Sequence, residues 1–177
     1  MKTFEFSIVA TGLDPQADDF ESRFYDAGCD DALVSFQKGH IIIDFAREAK
    51  DLIAAITSAQ ADVEKAGAKI VRVEPDPLVS LSDIAARSDC TRAAISLYAK
   101  GLRGQDFPAP VARVTSESPL WNWTDVSKWM FLRGKIDQIV AIEAFVFEEA
   151  NVVISKPAAE RDHILRHRME ECWHVAA

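Results

Sequence analysis

The chain has 177 residues, 49% of them hydrophobic, a composition that supports a packed core and excludes disorder as the default. The formal net charge of −8 would argue against a nucleic-acid binder if it were spread evenly. No apolar run approaches the ~20 residues of a membrane span, no signal peptide is recognisable, and the three cysteines form no CxxC pair. We therefore expect a cytoplasmic protein without membrane association, with reduced thiols.

Residues 1–74 alternate predicted strands and helices. Apolar patterns of period two predict the strands, and helical periodicity predicts Phe20, Phe24 and Tyr25 on the inner face of the first helix. The elements in chain order are a strand at 4–11, a helix at 17–27, strands at 32–36 and 40–45, a helix at 47–66 and a strand at 69–73. This βαββαβ order predicts a ferredoxin-like sandwich in an α+β chain. The fold hosts unrelated functions, so it assigns none here.

Acidic clusters and histidines are the candidates for metal or acid–base chemistry. The carboxylates lie at Asp18, Asp19, Glu21, Asp30 and Asp31, and the histidines are His40, then His163 and His167, with Cys172 and His174 beyond. His163 and His167 are four residues apart on a predicted helix, so a metal site is the alternative there, whereas His40 lacks a spaced partner. Solvated, helix-end or structural roles are favoured for all of these residues. No Ser/His/Asp set or phosphate loop stands out, so we expect neither an enzyme nor a cofactor nor a metal.

A stiff connector at residues 75–77 begins and ends with proline, which disfavours helix in the preceding residue. Residues 1–77 carry 8 Lys and Arg against 15 Asp and Glu, residues 78–135 carry 8 against 5, and residues 136–177 carry 4 against 8. We expect a domain at 1–74, the connector at 75–77, a domain at 78–133 and C-terminal helices at 134–177. Residues 78–135 are the one segment with more basic than acidic residues. Because phosphate contacts depend on local charge, only this segment is suited to them.

Residues 81–101 have the pattern of a helix-turn-helix. Ser82 is the predicted N-cap of the first helix, whose Ile84 and Ala85 face inward. The turn covers residues 88–90, and Asp89 occupies a position that requires positive φ, which Asp adopts more readily than most residues. An amphipathic helical hairpin inside an ordinary core is the alternative interpretation of this segment alone.

The second helix is the predicted recognition helix, capped by Thr91 and anchored to the core by Ile95 and Tyr98. In the major groove, Arg92 can bond guanine O6 and N7, and the Ala93 methyl can meet a thymine methyl. We expect the other basic residues of the set to contact DNA phosphates. The predicted DNA-binding set is Thr91, Arg92, Ala93, Ser96, Leu97, Lys100, Arg103, Arg113 and Lys128.

The residues after the helix pair predict a β-hairpin wing and a third helix. Strands at 111–114 and 120–123 flank a turn at 116–119, and Thr124 is the predicted cap of a helix that carries Val126 and Met130. Core positions are favoured over base-stacking roles for three tryptophans: Trp121, Trp123 and Trp129.

The segment Phe107-Pro108-Ala109-Pro110-Val111, followed by Trp121, Val126 and Trp129, resembles the excisionase/AlpA-type winged helix, a branch of the MerR-like DNA-binding domains. The resemblance covers about residues 78–131. It implies a β-hairpin wing, anchored by the Trp, Val and Trp set, and binding to duplex DNA. Excisionases tend to be short, whereas this chain carries acidic segments on both sides, which favours an autonomous regulator.

Two further helices are predicted after Gly134, at residues 136–153 and 158–173, separated by Pro157. The first has too many apolar residues for a solvated surface helix, so it either packs on the DNA-binding domain or pairs with a second subunit. Its apolar residues are Ile139, Ile142, Phe145, Val146 and Val153.

The sequence favours a transcriptional regulator that binds double-stranded DNA sequence-specifically as a homodimer on an inverted repeat. One small domain supplies only part of the ~4–10 kcal/mol that separates specific from non-specific binding, and two-fold symmetry selects an inverted repeat. A non-enzymatic protein-interaction adaptor and an excisionase-like recombination accessory factor remain alternatives. No motif specifies a small-molecule effector of residues 1–74.

Overall fold

The computed structural model describes residues 1–174 as a mixed α+β protein with a four-stranded antiparallel sheet and, within those residues, seven α-helices. The chain forms two compact units, one of residues 1–75 with the chain from residue 149 onward, and one of residues 76–148. The boundary between the two units lies between Pro75 and Asp76, and residues 134–148 belong to the second unit.

The sheet lies in the first unit and has the strand order β2-β3-β1-β4. Its strands are β1 (Lys2–Thr11), β2 (Ala32–Gln37), β3 (His40–Ala49) and β4 (Lys69–Glu74). Ile8 of β1 lies opposite Ile43 of β3 and Val73 of β4, and all three side chains are buried. Since side chains alternate along a strand, this register gives the sheet one apolar face.

The first helix, α1 (Phe20–Ala27), packs through Phe20 and Phe24, whose ring centroids are 5.6 Å apart. It ends at Gly28, which has φ 114°, as predicted. The prediction that Tyr25 faces inward was wrong, since this side chain is 68% exposed. Phe20 and Phe24 are four residues apart and share a face, whereas Tyr25 lies ~100° further around the helix.

The second helix, α2 (Leu52–Lys65), begins later than predicted. The predicted helix from residue 47 was wrong because β3 continues to Ala49, with Arg47 and Ala49 buried in alternation with Phe45. Asp51 caps the helix, its carboxylate accepting a hydrogen bond from the Ala54 amide at 2.9 Å. The apolar residues on one face of this helix are buried: Leu52, Ile53, Ile56 and Val63.

The C-terminal part of the first unit packs on α2, through α7 (Ala158–His174). Arg161 is buried, and its guanidinium donates hydrogen bonds to Glu64 of α2 at 2.6 Å and to the Ile154 carbonyl at 2.7 Å. The preceding helix, α6 (Gln138–Val152), begins in the second unit. Its Ile139 is 51% exposed in the single chain, so packing within the chain leaves part of the apolar surface of this helix uncovered.

The second unit contains α3 (Leu81–Arg87), α4 (Arg92–Ala99) and α5 (Trp123–Phe131), with β5 (Leu78–Val79) paired to β6 (Trp121–Asn122). Its core joins all three helices to the beginning of α6, and the three tryptophans are buried, as predicted. The core residues are Val79, Ile84, Ala85, Ile95, Tyr98, Trp121, Trp123, Val126, Trp129, Met130 and Ala144.

The predicted wing is wrong in extent. Between residues 111 and 123, Ala112 and Leu120 form a single β-bridge, and the return strand pairs with β5 instead. Trp123 begins α5 rather than ending a strand, and the N-cap is Asn122 instead of Thr124. The Asn122 side chain accepts a hydrogen bond from the Asp125 amide at 3.2 Å, which satisfies a free amide of the first turn.

No helix within residues 1–174 combines the length and apolar composition needed to cross a membrane.

Candidate nucleic-acid interface

A capping box holds the N-terminus of α3. The Ser80 hydroxyl accepts a hydrogen bond from the Asp83 amide at 3.2 Å, and the Asp83 carboxylate accepts from the Ser80 hydroxyl at 2.7 Å and the Ser80 amide at 2.8 Å. These hydrogen bonds from Ser80 hold the pKa of Asp83 below its usual value. The prediction of Ser82 as the cap was wrong, because Ser82 lies inside the first turn of α3.

The turn between α3 and α4 has the conformation that the sequence predicts. Asp89 has φ 52°, in the left-handed region. The Cys90 amide donates a hydrogen bond to the Ala85 carbonyl at 3.0 Å, which is the bond that closes a Schellman helix end. The Ser88 hydroxyl also donates to the Ile84 carbonyl, at 2.6 Å. The turn therefore fixes the direction in which α4 leaves α3.

The first turn of α4 is exposed to solvent. Thr91 is its N-cap, as predicted, with Oγ1 accepting a hydrogen bond from the Ala94 amide at 3.2 Å. Arg92 Nε donates to the Ser82 hydroxyl at 3.1 Å, which orients its guanidinium along α3. Among the predicted DNA-binding residues of this helix, Ser96 is half-buried, and the exposed ones are Thr91, Arg92, Ala93, Leu97 and Lys100.

The C-terminus of α4 is a second Schellman motif. Gly101 has φ 68°, its amide donates to the Tyr98 carbonyl at 2.9 Å, and the Leu102 amide donates to the Leu97 carbonyl at 3.0 Å. This motif commonly brings the side chains of Leu97 and Leu102 together. Both are exposed, so the end of α4 also carries apolar surface.

An aromatic cluster of Tyr98, Phe107 and Trp129 supports this end of α4. The ring centroids are between 5.0 and 6.2 Å apart. Gly104, with φ 72°, lies so close that a Cβ atom there would be 3.2 Å from the Trp129 ring. The Trp129 Nε1 donates to the Gln105 carbonyl at 2.9 Å. The segment after α4 is therefore fixed against α5.

Two exposed cations lie against the Tyr98 ring. The guanidinium carbon of Arg103 is 5.4 Å from the ring centroid, and the Lys135 ammonium is 5.3 Å from it. Lys100, also exposed, is the C-cap residue of α4. A guanidinium stacked on a ring keeps N–H groups at its edge, so Arg103 can contact a phosphate from this position.

A third cation lies against Trp129. The guanidinium carbon of Arg133 is 4.3 Å from the ring centroid, and its Nη2 donates to the Gln105 carbonyl at 2.7 Å. It is exposed, like the cations beside Tyr98. We use the term basic patch for four residues: Lys100, Arg103, Arg133 and Lys135.

Arg113 and Lys128, both predicted to contact phosphates, are exposed and make no contact with the Tyr98 or Trp129 ring within residues 1–174. Arg113 is exposed in the loop after Ala112, and its carbonyl accepts hydrogen bonds from Ser116. Lys128 is on α5, one turn after Asp125. Burial raises the pKa of Asp125, Glu148 adds to the rise, and Lys128 opposes it. Within residues 1–174, no ion pair, hydrogen bond or ring contact joins either cation to the patch.

Sequence reasoning missed Arg133 and Lys135. Both follow α5 in the sequence, and only the folded unit brings them to the aromatic rings beside α4. The sole signal was the excess of cations in residues 78–135, 8 against 5 acidic residues. Over the whole of residues 76–148 the count is 8 Lys and Arg against 9 Asp and Glu, so the positive charge of this unit is local.

Among the described side chains, which end at residue 173, no group of three or more His, Cys, Asp or Glu residues could hold a metal ion. His163 and His167 are exposed on α7, and His167 Nε2 lies 3.5 Å from Glu171. The His174 side chain lies outside the described part. All three cysteines are free.

Comparison with known proteins gives no relative, because no protein-family model, no curated protein and no solved structure matches the chain. The interface itself is therefore the basis for inferring what the protein does.

Proposed function

We propose that the chain is a sequence-specific DNA-binding transcriptional regulator with residues 78–133 as its DNA-binding domain. In this proposal, α4 is the recognition helix and lies in the major groove with Arg92 and Ala93 against base edges. The basic patch, whose Lys135 lies just beyond this domain, contacts phosphates at the other end of α4, and Arg113 contacts them from its loop. The protein acts in the cytoplasm as a homodimer on an inverted repeat.

The observation that carries the proposal is the exposed first turn of α4, on a helix whose other end adjoins the basic patch. Ile95 and Tyr98 anchor the opposite face of α4 in the core, so the exposed face is presented in a fixed orientation. Each phosphate neutralised by a cation releases counterions and strengthens binding. The acidic remainder of the chain limits binding to DNA of arbitrary sequence.

The proposal includes a specific fold for residues 1–74 and another for residues 78–133. The strand order β2-β3-β1-β4, with α1 and α2 in the intervening connections, supports a ferredoxin-like βαββαβ sandwich for residues 1–74. The arrangement of α3, α4 and α5, with the short bridge at Ala112, supports a winged helix-turn-helix for residues 78–133. It is compatible with the excisionase/AlpA-type resemblance.

Titration of the full chain against genomic DNA fragments at two salt concentrations tests the proposal. We expect a subset of fragments to be retained and the affinity to fall steeply as salt rises, because phosphate contacts release counterions. A chain that retains no fragment at either concentration would refute DNA binding. The location of retained fragments, at promoters or at recombination sites, distinguishes a regulator from an excisionase-like factor.

A protein-interaction adaptor is the second candidate, and the apolar end of α4 favours it. Leu102 is 72% exposed next to exposed Leu97, a surface that suits a protein partner better than a phosphate. An adaptor binds its partner with weak salt dependence and does not retain DNA. Leu102→Ser separates the two functions, since it weakens an adaptor complex and leaves a phosphate-driven complex unchanged.

A further inference from the structure

The two edges of the sheet in the first unit differ in how their backbone groups are covered. At the β4 edge, the Asn151 side chain covers the backbone of Val73, accepting from its amide at 2.8 Å and donating to its carbonyl at 3.0 Å. At the other edge, within residues 1–174, no side chain hydrogen-bonds to the backbone of β2. Its sequence, ALVSFQ, also lacks the charges and prolines with which proteins block an edge.

Val34 and Phe36 carry the outward-facing backbone groups of β2. The hairpin to β3 closes with Gln37 opposite His40 around a two-residue turn, in which both residues have positive φ, 52° and 79°. The pair beside such a turn is hydrogen-bonded, and bonding alternates along an antiparallel strand, so Ser35 also faces β3. The amides and carbonyls of Val34 and Phe36 therefore point away from the sheet.

The side chains at this edge are apolar and accessible. Leu33 is 70% exposed and Phe36 47%. A groove of about 420 Å³ runs between α1 and β2, lined by Tyr25 and Val34 among others. Strand addition at a sheet edge gains main-chain hydrogen bonds and places alternate side chains in such a groove.

We infer that β2 pairs antiparallel with β2 of a second copy of this chain, joining two sheets across a two-fold axis at Ser35. In this register Val34 of each copy lies opposite Phe36 of the other, and their outward amides and carbonyls form hydrogen-bonded pairs. An aromatic residue opposite a β-branched one is a favourable cross-strand pair. The contact is isologous, as in most closed dimers.

Charges at the ends of the strand select a second copy as the occupant. Continued past the strand ends, the same register places Lys38 of one copy opposite Ala32 of the other, so that Asp30, two residues earlier, is its diagonal neighbour. The two-fold axis repeats this pair. Both residues are exposed, and neither makes an ion pair within residues 1–174. A copy of the chain supplies this complementary pattern by symmetry, whereas a foreign strand needs the same charges in the same places.

Sedimentation of the full chain without DNA, over a range of concentrations, tests the inference. We expect a dimer whose dissociation constant rises about tenfold or more, equivalent to ~1.4 kcal/mol, in Lys38→Glu, which turns two attractions into repulsions. Val34→Pro removes an outward amide without touching the ladder to β3 and should weaken the dimer similarly. Lys69→Glu, the same charge change on β4, is the matched control and should leave dimerisation unchanged.

The charge swap makes the test specific. Lys38→Glu combined with Asp30→Lys restores the ion pairs with reversed polarity and should recover the parental dimer. The inference is overturned if the unsubstituted chain stays monomeric, even if it binds an unrelated extended peptide. It is also overturned if the chain forms a dimer that neither Lys38→Glu nor Val34→Pro weakens. This inference rests on the proposed function, because it states which surface forms the homodimer. The sedimentation samples contain no DNA, so a failure to dimerise and a failure to bind DNA are observed in separate experiments.

Discussion

The ammonium group of Lys135 lies 5.3 Å from the centroid of the Tyr98 ring, which brings a cation from beyond α5 to the end of the proposed recognition helix. We predict that Lys135→Ala weakens binding to all duplexes alike and reduces the slope of log affinity against log salt by about 1, since one phosphate contact is lost. Titrations at several salt concentrations measure this slope. Lys69→Ala, an exposed cation of the first unit, should leave it unchanged. An unaltered slope in Lys135→Ala would remove this residue from the phosphate contacts.

Arg92 is the residue expected to distinguish bases. We predict that Arg92→Ala lowers the affinity for the preferred duplex by ~1–3 kcal/mol and relaxes the preference at one base pair, because a bidentate contact to guanine is lost. Fluorescence anisotropy with the selected duplex and its single-base variants measures both effects. If the affinity falls equally for every duplex, Arg92 contacts a phosphate and the proposed register of α4 is incorrect.

Arg47 is a buried cation of the first unit that pairs with two carboxylates distant from it in sequence. Its guanidinium donates to Asp31 at 2.8 and 2.9 Å and to Asp62 at 2.7 Å. Arg47→Met should lower the free energy of unfolding by ~3–5 kcal/mol, since it leaves two partly buried carboxylates without their partner. Urea unfolding followed by circular dichroism measures the loss. Arg72→Met, which breaks an exposed pair with Glu74, should cost about 1 kcal/mol or less, and equal costs would show that the Arg47 pairs do not hold the unit.

The same ion pair should make stability depend on pH. The hydrogen bond from Arg47 outweighs burial and holds the pKa of Asp31 below its usual value. A carboxyl group of this kind stabilises the fold above its unfolded-state pKa of about 3.9 and loses that contribution as pH falls through the lower folded-state pKa. We predict that the free energy of unfolding falls more steeply below about pH 5 in the parent than in Asp31→Asn. Parallel pH profiles would contradict this role.

The order of strands and helices in the first unit could be predicted because it depends on local alternation. The start of α2 could not, since Arg47 is a buried charge that interrupts the apolar pattern, and its partners Asp31 and Asp62 are distant in sequence. The sequence analysis assigned Asp31 to a solvated acidic cluster. Its pairing with Arg47 could not be predicted, because no local pattern links the two residues.

The candidate interface also combines local features, which the sequence predicts, with features that depend on residues distant in sequence. The cap at Thr91 and the positive φ of Asp89 are local features, and the sequence predicted both. The wing was overestimated because Trp121 pairs with Val79, a strand partner that no local pattern indicates. The basic patch depends on the packing of Tyr98 against residues after α5, so only the folded unit reveals Lys135 as part of it.

Recovery and sequencing of the genomic DNA bound by the full chain tests the central claim most directly. We predict an enriched motif of two inverted half-sites, with centres separated by about one helical turn of ~10 bp or a multiple of it. Arg92→Ala, used in parallel, should lose the enrichment at one position of each half-site. Recovery of no enriched motif at low or moderate salt would contradict the assignment of α4 as a recognition helix.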